Sequence, residues 1–460
     1  MCGIVGVSGV ADAAQLAFLA LYSLQHRGQE AAGISSVDAD GTSYLHKASG
    51  LVSEAFSALD LQGLPGNTAL GHIRYSTAGG AGLRNAQPIQ VRYSEGELSL
   101  VHNGNLTNAQ ELRQRLVNEG ALFQSSIDTE VIVHLIARSR REGIDGQIDD
   151  ALSQLEGAFS LLITVGSTLY AARDPLGFRP LVLGALDGGI VAASETCALD
   201  ILGARYLRDV EPGEVLRIER GEITELRPLV PAGVPAPCIF ELVYFARPDS
   251  QLFGHSVDRA RRAFGHRLAE EQPADADCVI SVPDSANSCS LGYAEGSGLP
   301  FELGLIRNHY VGRTFIDPSQ TGRDFKVRMK YNAVREIVQG KRIVVVDDSL
   351  VRGTTSRGLV GMLHEAGARE IHFRLASPPV RWPCYYGIDL PTRDELIAAR
   401  STPEEIRDYL GVESIGYLSL EGMLDCVRET GSFCTACFSG DYRAPLVDLE
   451  RGYAVEPSCC

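Results

Sequence analysis

The segment Arg342-Ile343-Val344-Val345-Val346-Asp347-Asp348-Ser349-Leu350-Val351-Arg352-Gly353-Thr354-Thr355 restricts the fold more than any other part of the chain. A run of β-branched residues this apolar belongs to a strand covered on both faces, whereas the adjacent carboxylates that end it do not belong in a core. In an open parallel α/β sheet the C-terminal ends of the strands are where ligands sit. The Gly/Thr loop beyond runs into a helix, so backbone N–H groups, hydroxyls and a helix N-terminus face a phosphate. Carboxylates there accept from vicinal ribose hydroxyls or hold Mg²⁺ through oxygen.

The surroundings fit such a sheet. Val279 to Val282, Leu303 to Ile306 and Ile371 to Leu375 are further apolar runs with helical stretches between them, which predicts a mainly parallel sheet. Ser281-Val282-Pro283-Asp284-Ser285 ends one of these runs, bringing the Ser285 hydroxyl towards the same cation, although alone it reads as a loop serine. Between Gly312 and Tyr331 stand Arg313, Arg323, Lys326, Arg328 and Lys330, the composition of a cationic lid over a diphosphate or of a solvated loop.

Four prolines between Pro228 and Pro237 read as a linker, so we place a boundary near residue 232 and expect units at 1–232 and 233–460. The first unit has another pattern. Residues 3 to 7 form a short strand, Asp12 precedes a helix, and turn signals at 38–41 and 187–189 join hairpins. Thr107 with Gln110 predicts a capping box for a helix closed by Gly120, and Asp128 opens a second helix. Strands joined by hairpins with two or three helices make a layered α+β unit.

Composition narrows the function. With 42 Lys plus Arg against 58 Asp plus Glu, the net charge of -16 disfavours nucleic acid and anionic lipid as partners. No window reaches the ~18 apolar residues of a membrane span, and Met1-Cys2-Gly3-Ile4-Val5-Gly6 lacks a basic leader, so we expect a cytoplasmic protein. In a reducing compartment 11 cysteines serve as thiols, nucleophile or metal ligands rather than as disulfides.

Cys2 directly follows the initiator methionine, which is normally trimmed before so small a side chain. A cysteine exposed in this way carries its thiol beside its own α-amine, with an ordinary pKa of roughly 7.7 to 8.0, so nucleophile and general base share one residue. It is accompanied by Gln25-His26-Arg27-Gly28-Gln29-Glu30, Gly71-His72-Ile73-Arg74-Tyr75-Ser76-Thr77-Ala78-Gly79, His102-Asn103-Gly104 and Ser126-Ile127-Asp128-Thr129-Glu130. From the residues alone Asn103-Gly104 is also a good turn dipeptide, Arg74 a strand-end ion pair and Asp128 a helix cap.

The N-terminal set resembles the glutaminase domain of N-terminal-nucleophile amidotransferases, and the 342–355 string resembles the PRPP (5-phosphoribosyl diphosphate) motif of type I phosphoribosyltransferases. Together they resemble the amidophosphoribosyltransferase family over nearly the whole chain. The resemblance implies a four-layer αββα N-terminal-nucleophile hydrolase domain followed by an α/β type I phosphoribosyltransferase domain. It implies that Cys2 attacks the glutamine amide, that Asn103 and Gly104 form the oxyanion hole, and that Arg74, Asp128, Arg27 and Thr77 hold glutamine. For PRPP it implies Asp347, Asp348, Ser349, Arg352, Gly353, Thr354, Thr355 and Lys330, with one Mg²⁺ at Ser285, Asp347 and Asp348. The implied products are 5-phosphoribosylamine, glutamate and diphosphate, at the first step of purine synthesis. Purine nucleotides as feedback inhibitors and a homotetramer also follow from the resemblance.

Cys434-Thr435-Ala436-Cys437 is a CxxC, ambiguous in isolation among redox pair, metal half-site and chance. Cys238 and Cys384 stand in contexts that, with this pair, match the cluster-bearing branch of the family. The resemblance implies a [4Fe-4S] cluster on Cys238, Cys384, Cys434 and Cys437, with zinc as the runner-up because a four-thiolate site also accepts it. Two features depart from that branch. Cys459-Cys460 supplies spare thiols, and only Met1 precedes Cys2, so we expect ordinary methionine removal in place of propeptide processing. Cys197, Cys278, Cys289 and Cys426 read as small buried hydrophobes.

Overall fold

The structure is a computed structural model, and it describes residues 1–75, 82–230, 233–309, 327–428 and 432–453. The first half builds two antiparallel sheets. One has seven strands, in the order Arg205–Asp209, Val182–Leu186, Gly189–Ala193, Gly3–Ser8, Thr68–Arg74, Ala31–Val37, Ser43–Ser49. The other has six, in the order Glu222–Glu225, Val215–Glu219, Thr168–Arg173, Gly157–Val165, Gly96–Leu106, Ile89–Tyr93.

Strand alternation then sorts side chains into layers. Ile4, Leu70, Val101, Leu162, Leu183 and Leu216 share one buried cluster drawn from both sheets, the filling between them. Val5 and Val7 point the other way, into the cluster that holds Ala13, Ala17, Leu21 and Ala198 of the helices Ala13–Ser23 and Cys197–Leu202. On the far side Leu100, Leu161 and Ile163 join Leu112, Leu116, Ile132, Ile136 and Ile148 of the helices Ala109–Asn118, Thr129–Arg138 and Gly143–Leu152. The result is the αββα stack. Each fully buried Leu or Ile in these layers contributes about 1.5–3 kcal/mol.

In the second half Phe301–Glu302, Cys278–Ser281, Arg342–Asp347, Glu370–Leu375 and Ser414–Tyr417 form, in that order, a five-stranded sheet whose pairings are all parallel. Ile343 to Val346 are fully buried, as covering both faces requires. The helices Val257–Glu271, Asn287–Ser297 and Thr354–Glu365 supply that cover.

Several local expectations need correction. Leu303 to Ile306 is not in the main sheet: Leu305–Arg307 pairs antiparallel with Tyr331–Ala333 as a separate ribbon. Ser414–Tyr417, a short and half-polar strand, carried no comparable apolar signal. The Thr107/Gln110 capping box does not form. Asn108 occupies the N-cap without a side-chain bond, and Asp448, far along the chain, accepts from the Gln110 and Glu111 N–H groups at 2.8 and 2.9 Å. Asp12 and Asp128 likewise precede their helices without capping them. Cys426 is only partly buried. The boundary near 232 falls on residues outside the described set, as do Thr77, Arg313, Arg323, Lys326, Cys459 and Cys460.

Candidate active sites

Cys2 is fully buried at the mouth of the first strand, and Arg27 Nε donates to its carbonyl oxygen at 3.0 Å. Asn103 and Gly104 lie inside the eleven-residue strand Gly96–Leu106, not in a turn. Asn103 is fully buried, yet neither its Nδ2 nor its Oδ1 has a partner among the described residues. Gly104 has φ +156°, and a Cβ there would stand 2.0 Å from the Ala158 carbonyl oxygen, so no side chain fits. A buried amide donor with no partner among the described residues, next to a glycine where no side chain fits, has the chemistry of an oxyanion hole.

Arg74 shows the same deficit in another form. It is 1% exposed, and among the described residues its Nη1 reaches the Gly82 carbonyl at 3.5 Å while its Nε and Nη2 have no partner. A buried guanidinium with free donors calls for an anion, and a carboxylate matches its fork. His72 is pushed down to about 3, first by burial and then by the Arg74 charge, so it stays neutral and leaves that anion site to Arg74.

Asp128 supplies the opposite charge. Burial pushes its carboxyl up, but the His102 ring, the Leu106 N–H at 3.0 Å and the Thr129 hydroxyl at 3.2 Å outweigh this and hold it below its ordinary value. Arg27 is fully buried, and its guanidinium is committed to Glu195, to Glu241 and to the Cys2 carbonyl, so the contacts it makes orient protein groups. Burial works against its charge, and the two carboxylates more than restore it. Burial also pushes the Glu195 carboxyl up, but His26 and Arg27 together hold it well below the carboxylate range. Sequence reading missed both Glu195 and Glu241. Glu195 carries no local pattern, and Glu241 stood unremarked beside Cys238.

At the second site Asp347 ends the buried strand and accepts from the Asp348 N–H at 2.9 Å, while the Ser349 hydroxyl donates to Asp348 at 2.6 Å. The Ser285 hydroxyl also bonds Asp348, so two distant loops meet as expected. Burial, joined at Asp347 by the charge of Asp348, raises both carboxyls. This acidic pair would gain from a cation. Gly353, at φ +77°, turns the chain into the helix Thr354–Glu365, leaving Thr354 and Thr355 exposed at its start. Lys330 lies near enough to Asp347 to stabilise its charge, whereas Arg328 pairs with Glu365 at 2.6 Å and Arg352 with Glu395 at 3.2 Å.

Cys238, Cys384, Cys434 and Cys437 are all buried. Cys238 and Cys434 face each other in a parallel β-bridge, and Cys437 lies within electrostatic range of the other three. Burial pushes the Cys238 thiol up to about 11, and burial and then the neighbouring cysteines raise Cys437 well above its ordinary value. The Tyr386 N–H donates to Cys384 Sγ at 3.3 Å, a bond that favours thiolate. Among the described residues no three His, Cys, Asp or Glu groups already stand as a closed ion site. The donor set, four buried sulfurs gathered from three segments, still fits a soft metal group whose charge offsets theirs.

A family model described as a glutamine amidotransferase domain matches residues 73–200. Amidophosphoribosyltransferase 2, chloroplastic, of Arabidopsis thaliana is 50% identical over 443 residues, 96% of this chain and 79% of that protein. Amidophosphoribosyltransferase of Bacillus subtilis (strain 168) is 48% identical over 454 residues, 96% of this chain and 94% of that protein. A solved structure of glutamine phosphoribosylpyrophosphate amidotransferase from B. subtilis, complexed with ADP and GMP, superposes with a TM-score of 0.91 at 47% identity, covering 97% of this chain and 98% of that one. An αββα half and a parallel-sheet half, with relatives at this identity along nearly the whole length, show that the chain belongs to the amidophosphoribosyltransferase family, glutamine-dependent enzymes at the first step of purine biosynthesis.

Proposed function

We propose that this chain hydrolyses glutamine at Cys2 in its 1–232 half and transfers the ammonia to PRPP at the 342–355 loop of its 233–460 half. The observation that carries the reading is a pair of buried groups without partners among the described residues, the Asn103 amide and the Arg74 guanidinium, on strands of the two sheets that touch each other. With Met1 removed, the Cys2 α-amine accepts the thiol proton as sulfur attacks the glutamine amide carbon. The Asn103 Nδ2–H and the Gly104 N–H receive the oxyanion, while Arg74 pairs with the substrate carboxylate and Asp128 with its α-ammonium. The same α-ammonium returns its proton to the departing nitrogen, and water then hydrolyses the thioester. Thr77 contributes to this pocket by family resemblance.

At the transferase site Thr354, Thr355, Ser349 and the 352–354 N–H groups cradle the 5-phosphate at the helix start, as such termini do. Asp347 and Asp348 take the ribose hydroxyls, and with Ser285 they would hold Mg²⁺, which neutralises the leaving diphosphate. Lys330 and Arg352 add cationic charge. Ammonia attacks C1 as the bond to diphosphate breaks, giving 5-phosphoribosylamine. A passage between the halves keeps ammonia from protonation by bulk water.

The four cysteines would hold a [4Fe-4S] cluster, with zinc the alternative, as a structural tie. No helix among the described residues is long and apolar enough to cross a membrane, and the protein works as a cytoplasmic homotetramer under purine-nucleotide feedback in this reading. The test is the Cys2→Ala variant. Loss of glutamine-dependent diphosphate release with ammonia-dependent release intact supports the division of labour, and parallel loss of both contradicts it.

A further inference from the structure

We propose that two residues of the transferase half, Glu241 and Gly387, hold the glutamine site in its working geometry, as positioning residues for the nucleophile and the oxyanion hole. The proposal rests on the assignment of Cys2, Asn103 and Gly104 above and extends it across the boundary between the halves.

Arg27 carries the first connection. Its Nε holds the Cys2 carbonyl at 3.0 Å, and its two terminal nitrogens reach Glu241 at 2.7 and 3.1 Å, with Glu195 on the other flank. Arg179 closes the set by donating to Glu241 at 3.3 Å. All four side chains are fully buried. Two guanidinium and two carboxylate groups make a charge-neutral quartet in the interior, where directional charge-assisted bonds fix a side chain far better than on a surface. Glu241 opens a five-residue π-helical segment, Glu241–Phe245, an irregularity that often marks function. Without its charge the quartet holds two buried cations against one carboxylate, and the fork that aims Arg27 at Cys2 is lost.

The second connection runs through Tyr385-Tyr386-Gly387. Arg179 donates to the Tyr386 carbonyl at 2.8 and 2.6 Å, and Asn105 Nδ2 donates to the Tyr385 carbonyl at 2.8 Å. Gly387 has φ +98°, and a Cβ on it would stand 3.0–3.2 Å from the carbonyl carbon, oxygen and Cα of Gly104. This loop is therefore the back wall of the strand whose N–H completes the oxyanion hole. The two connections meet at Arg179, so one buried cation links nucleophile and oxyanion hole to the other half of the chain.

The experiment compares Glu241→Gln and Gly387→Ala in the full-length protein. For each we expect a fall of ten-fold or more in glutamine kcat, a glutamine KM changed less than three-fold because Arg74 and Asp128 are untouched, and ammonia-dependent turnover retained. Alkylation of Cys2 by iodoacetamide separates the two roles: it slows in Glu241→Gln and is unchanged in Gly387→Ala, since alkylation builds no oxyanion. Glu241→Asp, which restores charge with a shorter reach, should recover part of the loss. If Glu241→Gln does not fold, Gly387→Ala decides. Unchanged glutamine kcat, or equal loss of glutamine and ammonia turnover in soluble protein, overturns the proposal. If Cys2→Ala itself kept glutamine turnover, the failure would lie in the assignment of the nucleophile instead.

Discussion

Replacing Asn103 by alanine should cost activity without costing stability. Its side-chain amide is fully buried and makes no hydrogen bond among the described residues, so folding already bears its desolvation. An unsatisfied buried polar group costs ~1–3 kcal/mol, whereas the small cavity left by an amide, at ~24 cal/mol per Å³, costs about 1 kcal/mol. The net lies between neutrality and a gain of ~2 kcal/mol, and for a domain of this half's size 1 kcal/mol moves the unfolding midpoint by ~2–4 °C. The transition state is different, because there the amide meets the developing oxyanion. Removal of one such donor lowers kcat by about 10²–10³, or ~2.7–4 kcal/mol. Glutamine- and ammonia-dependent diphosphate release, measured beside the melting temperature, give the answer. A fall of several degrees with both activities lost would make Asn103 a structural residue and refute the reasoning.

Further expectations concern charge, caps and metals. Asp128 is held below its ordinary carboxyl value, so its contribution to folding is complete above the unfolded pKa of about 3.9 and is lost as pH falls through the lower folded value. Asp128→Asn should accordingly flatten acid unfolding in that window and raise glutamine KM, as titrations of both proteins would record. Asp448→Ala removes a cap from the helix Ala109–Asn118 and should cost ~0.5–2 kcal/mol, seen as a lower melting temperature and faster proteolysis of the 447–453 tail. Asp347→Asn should weaken Mg²⁺-dependent PRPP binding and abolish turnover with either nitrogen source, which calorimetry and both assays would detect. Cys437→Ser should lower bound iron and sulfide together. Zinc in the unaltered protein, found by elemental analysis, would select the other occupant.

Much of this was legible in the sequence because single short segments carry it. The strand Arg342–Asp347 and its loop declared themselves by continuous β-branched residues meeting two carboxylates, and the layered first half by hairpin turns. What escaped was nonlocal. The cap of the helix Ala109–Asn118 comes from Asp448, and no pattern near Thr107 could reveal that a tail carboxylate outcompetes a local capping box. Arg27 stood in a suggestive string, but whether a guanidinium meets substrate or protein depends on Glu195 and Glu241, brought to it by the fold. Leu303 to Ile306 looked like a sheet strand because a short apolar run has no period that separates a central strand from a ribbon.

The central claim is that nitrogen released at Cys2 reaches the transferase site without entering solution. Glutamine labelled with ¹⁵N in its amide, supplied with PRPP and Mg²⁺ in unlabelled ammonium buffer, tests it directly through the isotope content of trapped 5-phosphoribosylamine. The account predicts product labelled as fully as the glutamine supplied at buffer ammonium too low to sustain ammonia-dependent turnover by itself. Label diluted to the solution ratio at those concentrations would contradict it.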